Sequence, residues 1–567
     1  MSRWGWIVLG VVALLLLMVF TGSSEPTIES DSALVVEIEG AYVDGTVSPL
    51  LGLLAGPEQS LLGAISRLRK AGRDDRIDTV ILRIRGVSMG WGQAGELRSA
   101  IRRLAESGKK TVAVIEFEGY GNASYYLASA ADHVAVVPGA NNPFVGLAIQ
   151  STFYGAALEK LGIEVEYERI GKYKSAVESY AEAKATDANR EMMASMLDSL
   201  DATFVGNIAE SRAMKPSQIR AIIDQAPTSP DEMLAHGLVD EVAFYDEVLT
   251  SLGDPVTVAA DVYDRVPFQS VGFEAKDTFA VVYGTGAVVT GSAQRSTTGS
   301  RLMASEVVGE SLRSAAENDS ISAIIFRVNS PGGSPLASDL ILREVARAQE
   351  AGKPVVVSMS DYAASGGYFV SAGADRIVSH PATLTGSIGV FSLRPNVRGL
   401  FEKLGVGVES MTRGAQADLL FVDSPLTPGS REVLERNVAS IYSLFLDRVV
   451  AGRDMERDAV HAIAQGRVWT GAQALEVGLV DRVGGYHEAL AEARALVGLE
   501  PDVDVALIEY PPPKPLAEQI SELLGGRTQS GLAALPLPKS FVALWQTLEA
   551  LPQGQPMLLP PTWVEIR

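Results

Sequence analysis

"ASGGYFVSAGADRIVSHP", Ala364 to Pro381, has a counterpart far upstream in "GNASYYLASAADHVAVVP", Gly121 to Pro138. A constant offset of 243 sets Tyr125 on Tyr368, Asp132 on Asp375, Pro138 on Pro381 and Gly146 on Gly389. The same offset carries "LEKLG" (Leu158–Gly162) onto "FEKLG" (Phe401–Gly405) and Gly171 onto Gly414. Further out, "IDTVILRIRG" from Ile77 matches "ISAIIFRVNS" from Ile321, and "GLVDEV" from Gly237 matches "GLVDRV" from Gly478. Self-similarity of this length marks a tandem duplication. Its copies span 33–250 and 278–497, joined by a link over 251–277 and followed by a Pro-rich tail, 498–567.

Within each copy, β-branched runs alternate with helical patterns. In the second, "AIIFRV" reads as a buried strand and "SPGGS" as a turn. "PLASDLILREVARAQEAG" reads as a helix with its apolar face at Leu336, Leu340, Ile341, Val345 and Ala348. "KPVVVSMS" is the next strand, the stretch around Ser365 a helix, and "RIVSHP" a further strand. Strands alternating with helices predict an α/β fold with mostly parallel pairing. In the tail, "YPPPKP" reads as a stiff linker and "LAEQISELLGG" as a short amphipathic helix.

Bulk properties narrow the function. The 567 residues exceed one ordinary core. An apolar content of 47% with 21% charged residues describes a folded chain. A net charge of −21 argues against a nucleic-acid partner. The absence of cysteine excludes disulfides, thiol catalysis and thiolate metal sites. At the N-terminus, residues 4–21 form an uncharged apolar run behind Arg3. That is just long enough to cross a bilayer core of about 30 Å as a transmembrane helix. Arg3 predicts a cytoplasmic stub and an exported body; a cleaved signal peptide is the alternative. The apolar segment Val47–Pro57 suits a cleft mouth, a surface facing the bilayer or an ordinary core loop.

Ser365 stands where a strand gives way to a helix, before two glycines. First-turn amides of a helix are unpaired, so the Gly366 N–H suits an oxyanion, with Gly332 and Gly333 of "NSPGGS" as the companion donors. A base is harder to find. The five histidines are His133, His236, His380, His461 and His487. Of these, only His380 lies near the serine helix, and its place beside Pro381 reads as a surface or capping residue. No histidine pair has metal-ligand spacing, and no cofactor motif stands out. The duplication supplies an answer. Asn122 matches Ser365, and Lys174 of "ERIGKYKSAVESY" matches Ala417, so one copy keeps a serine and the other a lysine. A buried lysine loses its charge and becomes a base. Tyr173, Ala176 and Val177 could bury Lys174 between the copies, leaving Lys172 in solvent.

These motifs resemble the signal peptide peptidase A family, also called protease IV, in its long duplicated form. The resemblance rests on "YKSAVE" (Tyr173–Glu178), "NSPGG" (Asn329–Gly333), "DYAASGGYF" (Asp361–Phe369), "TGSIGV" (Thr385–Val390) and "VWTGAQALEVGLVD" (Val468–Asp481). It implies a ClpP/crotonase-like fold and a membrane-anchored serine peptidase without cofactor or metal. In that pattern Ser365 is the nucleophile, Lys174 the base and Ser387 the residue orienting the lysine. Gly332, Gly333 and Gly366 are the oxyanion donors. It further implies a homotetramer on the exported side of the inner membrane that cleaves remnant signal peptides. The first copy departs from the pattern with "RGVSMGWGQ" in place of the glycine turn. Two rivals are a crotonase-like acyl-CoA enzyme, which would need a basic pocket, and a non-catalytic membrane scaffold.

Overall fold

A computed structural model of the chain describes residues 25–47, 58–119, 121–296, 299–512 and 565–566. The proposed membrane segment, nearly all of Val47–Pro57 and the helix expected at "LAEQISELLGG" lie outside these. Among the described residues no helix is long and apolar enough to cross a membrane.

Each copy builds a mostly parallel sheet flanked by helices. In the first, Ser32–Val43 lies beside Ile77–Ser88, followed by Lys110–Ile115, His133–Val136 and Glu241–Val242. In the second, Asp277–Thr285 lies beside Ile321–Ser330, followed by Val355–Ala364. The latter pairs with both Arg376–Ser379 and Leu384–Gly386. Strands such as "AIIF", Ala323–Phe326, read as unbroken apolar runs because helices cover both faces of a parallel sheet. The duplication extends to single contacts. Tyr125 donates its hydroxyl to Leu238 O at 2.7 Å, and its counterpart Tyr368 to Leu479 O at 2.8 Å. Arg212–Asp240 and Arg453–Asp481 form equivalent ion pairs, both at 2.7 Å.

Three sequence expectations shift. The link 251–277 adds to the first sheet, with Thr257–Ala259 as a strand beside Ser32–Val43. Buried Lys70 fixes the following turn by donating to Tyr263 O and Val266 O. The second sheet also runs past 497, taking Val505–Tyr510 as an edge strand beside Asp277–Thr285. Finally, the helix Pro335–Glu350 buries Ala337, Ile341, Val345 and Ala348 but leaves Leu336 and Leu340 exposed.

Two of the contacts between the copies frame the site. Glu164–Ile170 of the first pairs antiparallel with Val390–Asn396 of the second. Deeper in the seam, buried Arg327 meets Asp44 at 2.8 Å and Glu96 at 2.7 Å and lies over the Tyr486 ring. Asp44 also accepts from Gln93, Asn329 and Ser360. Asp361 caps the first copy's helix Trp91–Glu106 by accepting from the Gln93 amide at 2.9 Å. A cavity of about 330 Å³ opens on this seam, lined in part by Tyr42, Ser88, Gln93 and Asn329.

Candidate active site

The strand Val355–Ala364 runs through "DYAA" up to the serine, so the helix expected around Ser365 is confined to Gly366–Ser371. Parallel pairing of Ala364 with Gly386 brings "TGSIGV" alongside, and the Ser365 amide donates to Gly386 O at 2.8 Å. Ser365 turns sharply there, at φ 55° and ψ −112°. Eight described non-glycine residues have positive φ, and Ser365, Ser387 and Gln465 are three of them. Such backbone costs about 1–3 kcal/mol per residue and gathers at functional sites.

Lys174 arrives from the first copy. The strand Glu164–Ile170, laid on Val390–Asn396, delivers the turn Gly171–Lys174 to the neighbourhood of Ser387. Its Nζ stands 2.7 Å from Ser365 Oγ, 2.9 Å from Ser387 O and 3.0 Å from Ser387 Oγ. All three residues are fully buried. Burial holds the lysine well below its ordinary value, because desolvation penalises the ammonium. A neutral amine has two N–H groups and one lone pair. Donating to Ser387 O and Oγ leaves the lone pair for the Ser365 hydroxyl. Lys172, two residues away, is exposed as expected.

The loop after Ile321–Ser330 brings Gly332 and Gly333 next to Gly366: a Cβ on Gly366 would lie 2.9 Å from Gly333 N and 3.1 Å from Gly332 Cα. The three expected donors are not equivalent. The Gly332 amide already donates to Ser330 Oγ at 3.1 Å. Those of Gly333 and Gly366 carry no hydrogen bond among the described residues. The uncommitted pair is therefore Gly333 and Gly366.

His380 is buried, not at the surface. Its ring packs against Gly95, and its Nδ1 accepts from the Ala382 amide at 3.2 Å. Burial lowers its pKa to about 4, so it stays neutral as a packing residue. His133 pairs with Glu241 at 2.9 Å. In the first copy, Asn122 at the serine's position donates to Gly146 O at 2.7 Å, with Phe117, Tyr125 and Phe144 filling the space around it.

The sequence reading gives no role to Arg169 or to Glu178, although Glu178 closes "YKSAVE". Glu178 is fully buried and accepts from Arg169, Thr186 and Asn189. Arg169 also donates to Lys174 O at 3.1 Å. A buried acid inside a short polar motif was the available signal.

A strained serine, a buried amine within hydrogen-bond reach and two free amides beside it define an acyl-transfer hydrolase site. The model of peptidase family S49 matches residues 103–259 and 347–500. The chloroplastic serine protease SPPA of Arabidopsis thaliana is 34% identical over 510 residues, 88% of this chain and 74% of that protein. Protease 4 of Salmonella typhi is 31% identical over 495 residues, 82% and 79% respectively. Among solved structures, a ClpP1 mutant of Listeria monocytogenes is 13% identical, with a TM-score of 0.24, covering 37% of this chain and 94% of that one. The chain belongs to peptidase family S49 and is a serine peptidase.

Proposed function

We propose that the protein is a Ser–Lys endopeptidase acting on apolar peptides such as remnant signal peptides. One observation carries this reading: the fully buried Lys174 Nζ, whose ammonium form burial disfavours, stands 2.7 Å from Ser365 Oγ. Neutral Lys174 takes the hydroxyl proton as Ser365 attacks the scissile carbonyl. Ser387 orients the amine throughout, and the Gly333 and Gly366 amides receive the oxyanion. The ammonium then returns its proton to the leaving amine, giving an acyl-enzyme. Lys174 next deprotonates a water that releases the acid and restores the serine. The serine's place between a parallel strand and a helix, with glycine amides from the neighbouring strand, supports the ClpP/crotonase-like assignment. Leu336 and Leu340, exposed on the helix that begins just after the glycine turn, support an apolar substrate.

The apolar run 4–21 anchors the chain in the inner membrane, with the catalytic body on the exported side. Assembly is a homotetramer built by strand addition. The second-copy counterpart of Glu164–Ile170 is 407–413, which forms no strand and exposes Val408 and Met411. The first-copy counterpart of Val390–Asn396 holds only Ile149–Gln150, paired with Glu565–Ile566. A neighbouring copy's 407–413 laid at 147–153 repeats the internal pairing and satisfies both edges.

The catalytic reading is tested with an apolar fluorogenic peptide. Ser365→Ala and Lys174→Ala each lower kcat by about 10⁴-fold or more. Parent-like cleavage by either variant overturns it.

A further inference from the structure

The turn that carries Lys174 is held from the opposite copy by three consecutive residues, Gln465, Gly466 and Arg467. Each makes one backbone bond toward the site. Gln465 O accepts from Tyr173 N at 2.9 Å, Gly466 N donates to Ile388 O at 2.8 Å, and Arg467 O accepts from Ser387 N at 2.7 Å. The segment thus touches the lysine's neighbour on one side and the residue that receives the lysine's hydrogen bonds on the other.

The contact is backbone against backbone. A Cβ on Gly466 would fall 2.5 Å from Lys174 N and Cα, and one on Gly171 would fall 2.2 Å from Gln465 C. Both glycines have positive φ, +79° and +106°. Gln465 adopts φ 53°, a conformation a glutamine rarely takes without being forced. On the outer side the Arg467 guanidinium lies over the Tyr173 and Trp469 rings and pairs with Glu191 at 2.8 Å.

We propose that Gln465–Gly466–Arg467 is a positioning strap that sets where the Lys174 amine stands between Ser387 and Ser365. Gly466 is its decisive residue, because only a missing side chain allows that approach. The proposal rests on the Ser–Lys reading above. Displacing the turn by an ångström stretches the contact to Ser365 and admits water to Nζ. Hydration restores the ammonium, so the strap governs the lysine's protonation as well as its place.

The test measures kcat/KM against pH for the full chain and for Gly466→Ala, Gly95→Ala and Lys174→Ala, with an apolar fluorogenic peptide. Gly95 presses on the His380 ring across the seam, so its alanine variant reports packing strain away from the dyad. The expected result for Gly466→Ala is a rate lowered about tenfold or more at neutral pH, with the rising limb moved about one unit alkaline. The deficit then narrows at high pH, while Gly95→Ala keeps the parent limb even if its Tm falls. An unmoved limb in Gly466→Ala, or an equal displacement in Gly95→Ala, overturns the strap. Should Gly466→Ala not fold, Arg467→Gln keeps the backbone and removes the stack on Tyr173. A smaller alkaline displacement there supports the proposal, and none overturns it. Parent-like activity in Lys174→Ala sinks the dyad reading itself, a result distinct from failure of the strap alone.

Discussion

A lysine with no exposed surface and no carboxylate partner among the described residues is costly to the fold. Its folded pKa lies well below the unfolded one, so the unfolded chain binds the extra proton. Stability from this group therefore falls as pH drops below about 10 and is recovered as pH rises toward that value. Lys174→Met removes that liability along with activity. The difference in Tm between variant and parent is expected to favour the variant most at low pH and to shrink toward pH 10. A difference independent of pH contradicts a neutral Lys174. Ser387→Ala leaves the backbone oxygen in place but removes one of the amine's two acceptors. It should lower kcat about 10- to 100-fold, measured with the same peptide. At this scale the sequence was legible where chemistry left a reciprocal trace. Ser365 facing Asn122, and Lys174 facing Ala417, pointed to the pair before any distance was known. The three candidate glycine amides were not distinguishable in the sequence, because the bond from Gly332 to Ser330 depends on a turn geometry that composition does not encode.

Among the elements, the turn bearing Lys174 depends on a polar anchor. Glu178 neutralises Arg169, which in turn holds the lysine's carbonyl. Glu178→Gln leaves that half-buried guanidinium without its charged partner. Both Tm and kcat/KM should fall, read by calorimetry and peptide cleavage; an unchanged kcat/KM removes Arg169 and Glu178 from the site's support. Periodicity located the strands and helices but misjudged their limits near the serine. "DYAA" continues a strand because its backbone pairs with Ile321–Ser330 and Leu384–Gly386, a tertiary bond that outweighs local helix preference. Leu336 and Leu340 fit the apolar stripe by spacing yet face outward, since the buried face runs through Ala337, Ser338, Ile341, Leu342, Val345 and Ala348.

For the whole molecule, two unequal copies meet at the proposed catalytic centre, and their seam buries ionisable groups. Burial, opposed by Arg327, raises Glu96 to about 7, and Asp361 rises to about 6, also through burial. A raised carboxyl contributes stability that is full below its unfolded value and lost as pH climbs through the folded one. Glu96→Gln removes that dependence. Relative to the parent, its Tm should improve between about pH 5 and about pH 8; a constant difference places the titration elsewhere. The proposed tetramer gives a separate expectation. Val408→Pro blocks strand addition at 407–413, so light scattering should find smaller species than for the parent, whereas a monomeric parent overturns the assembly. The duplication itself was plain in the sequence. What it did not reveal was the seam, because Asp44, Glu96 and Arg327 carry no shared spacing and meet only after both sheets fold.

The central claim is that an uncharged amine from the first copy activates a hydroxyl from the second. Its most direct test is the rate at which a fluorophosphonate phosphonylates Ser365, with loss of fluoride, followed from about pH 5 to about pH 10. The account predicts one rising limb with a midpoint well below the ordinary lysine value, absent in Lys174→Ala. A rate that is flat with pH, or a limb that survives in Lys174→Ala, would contradict it.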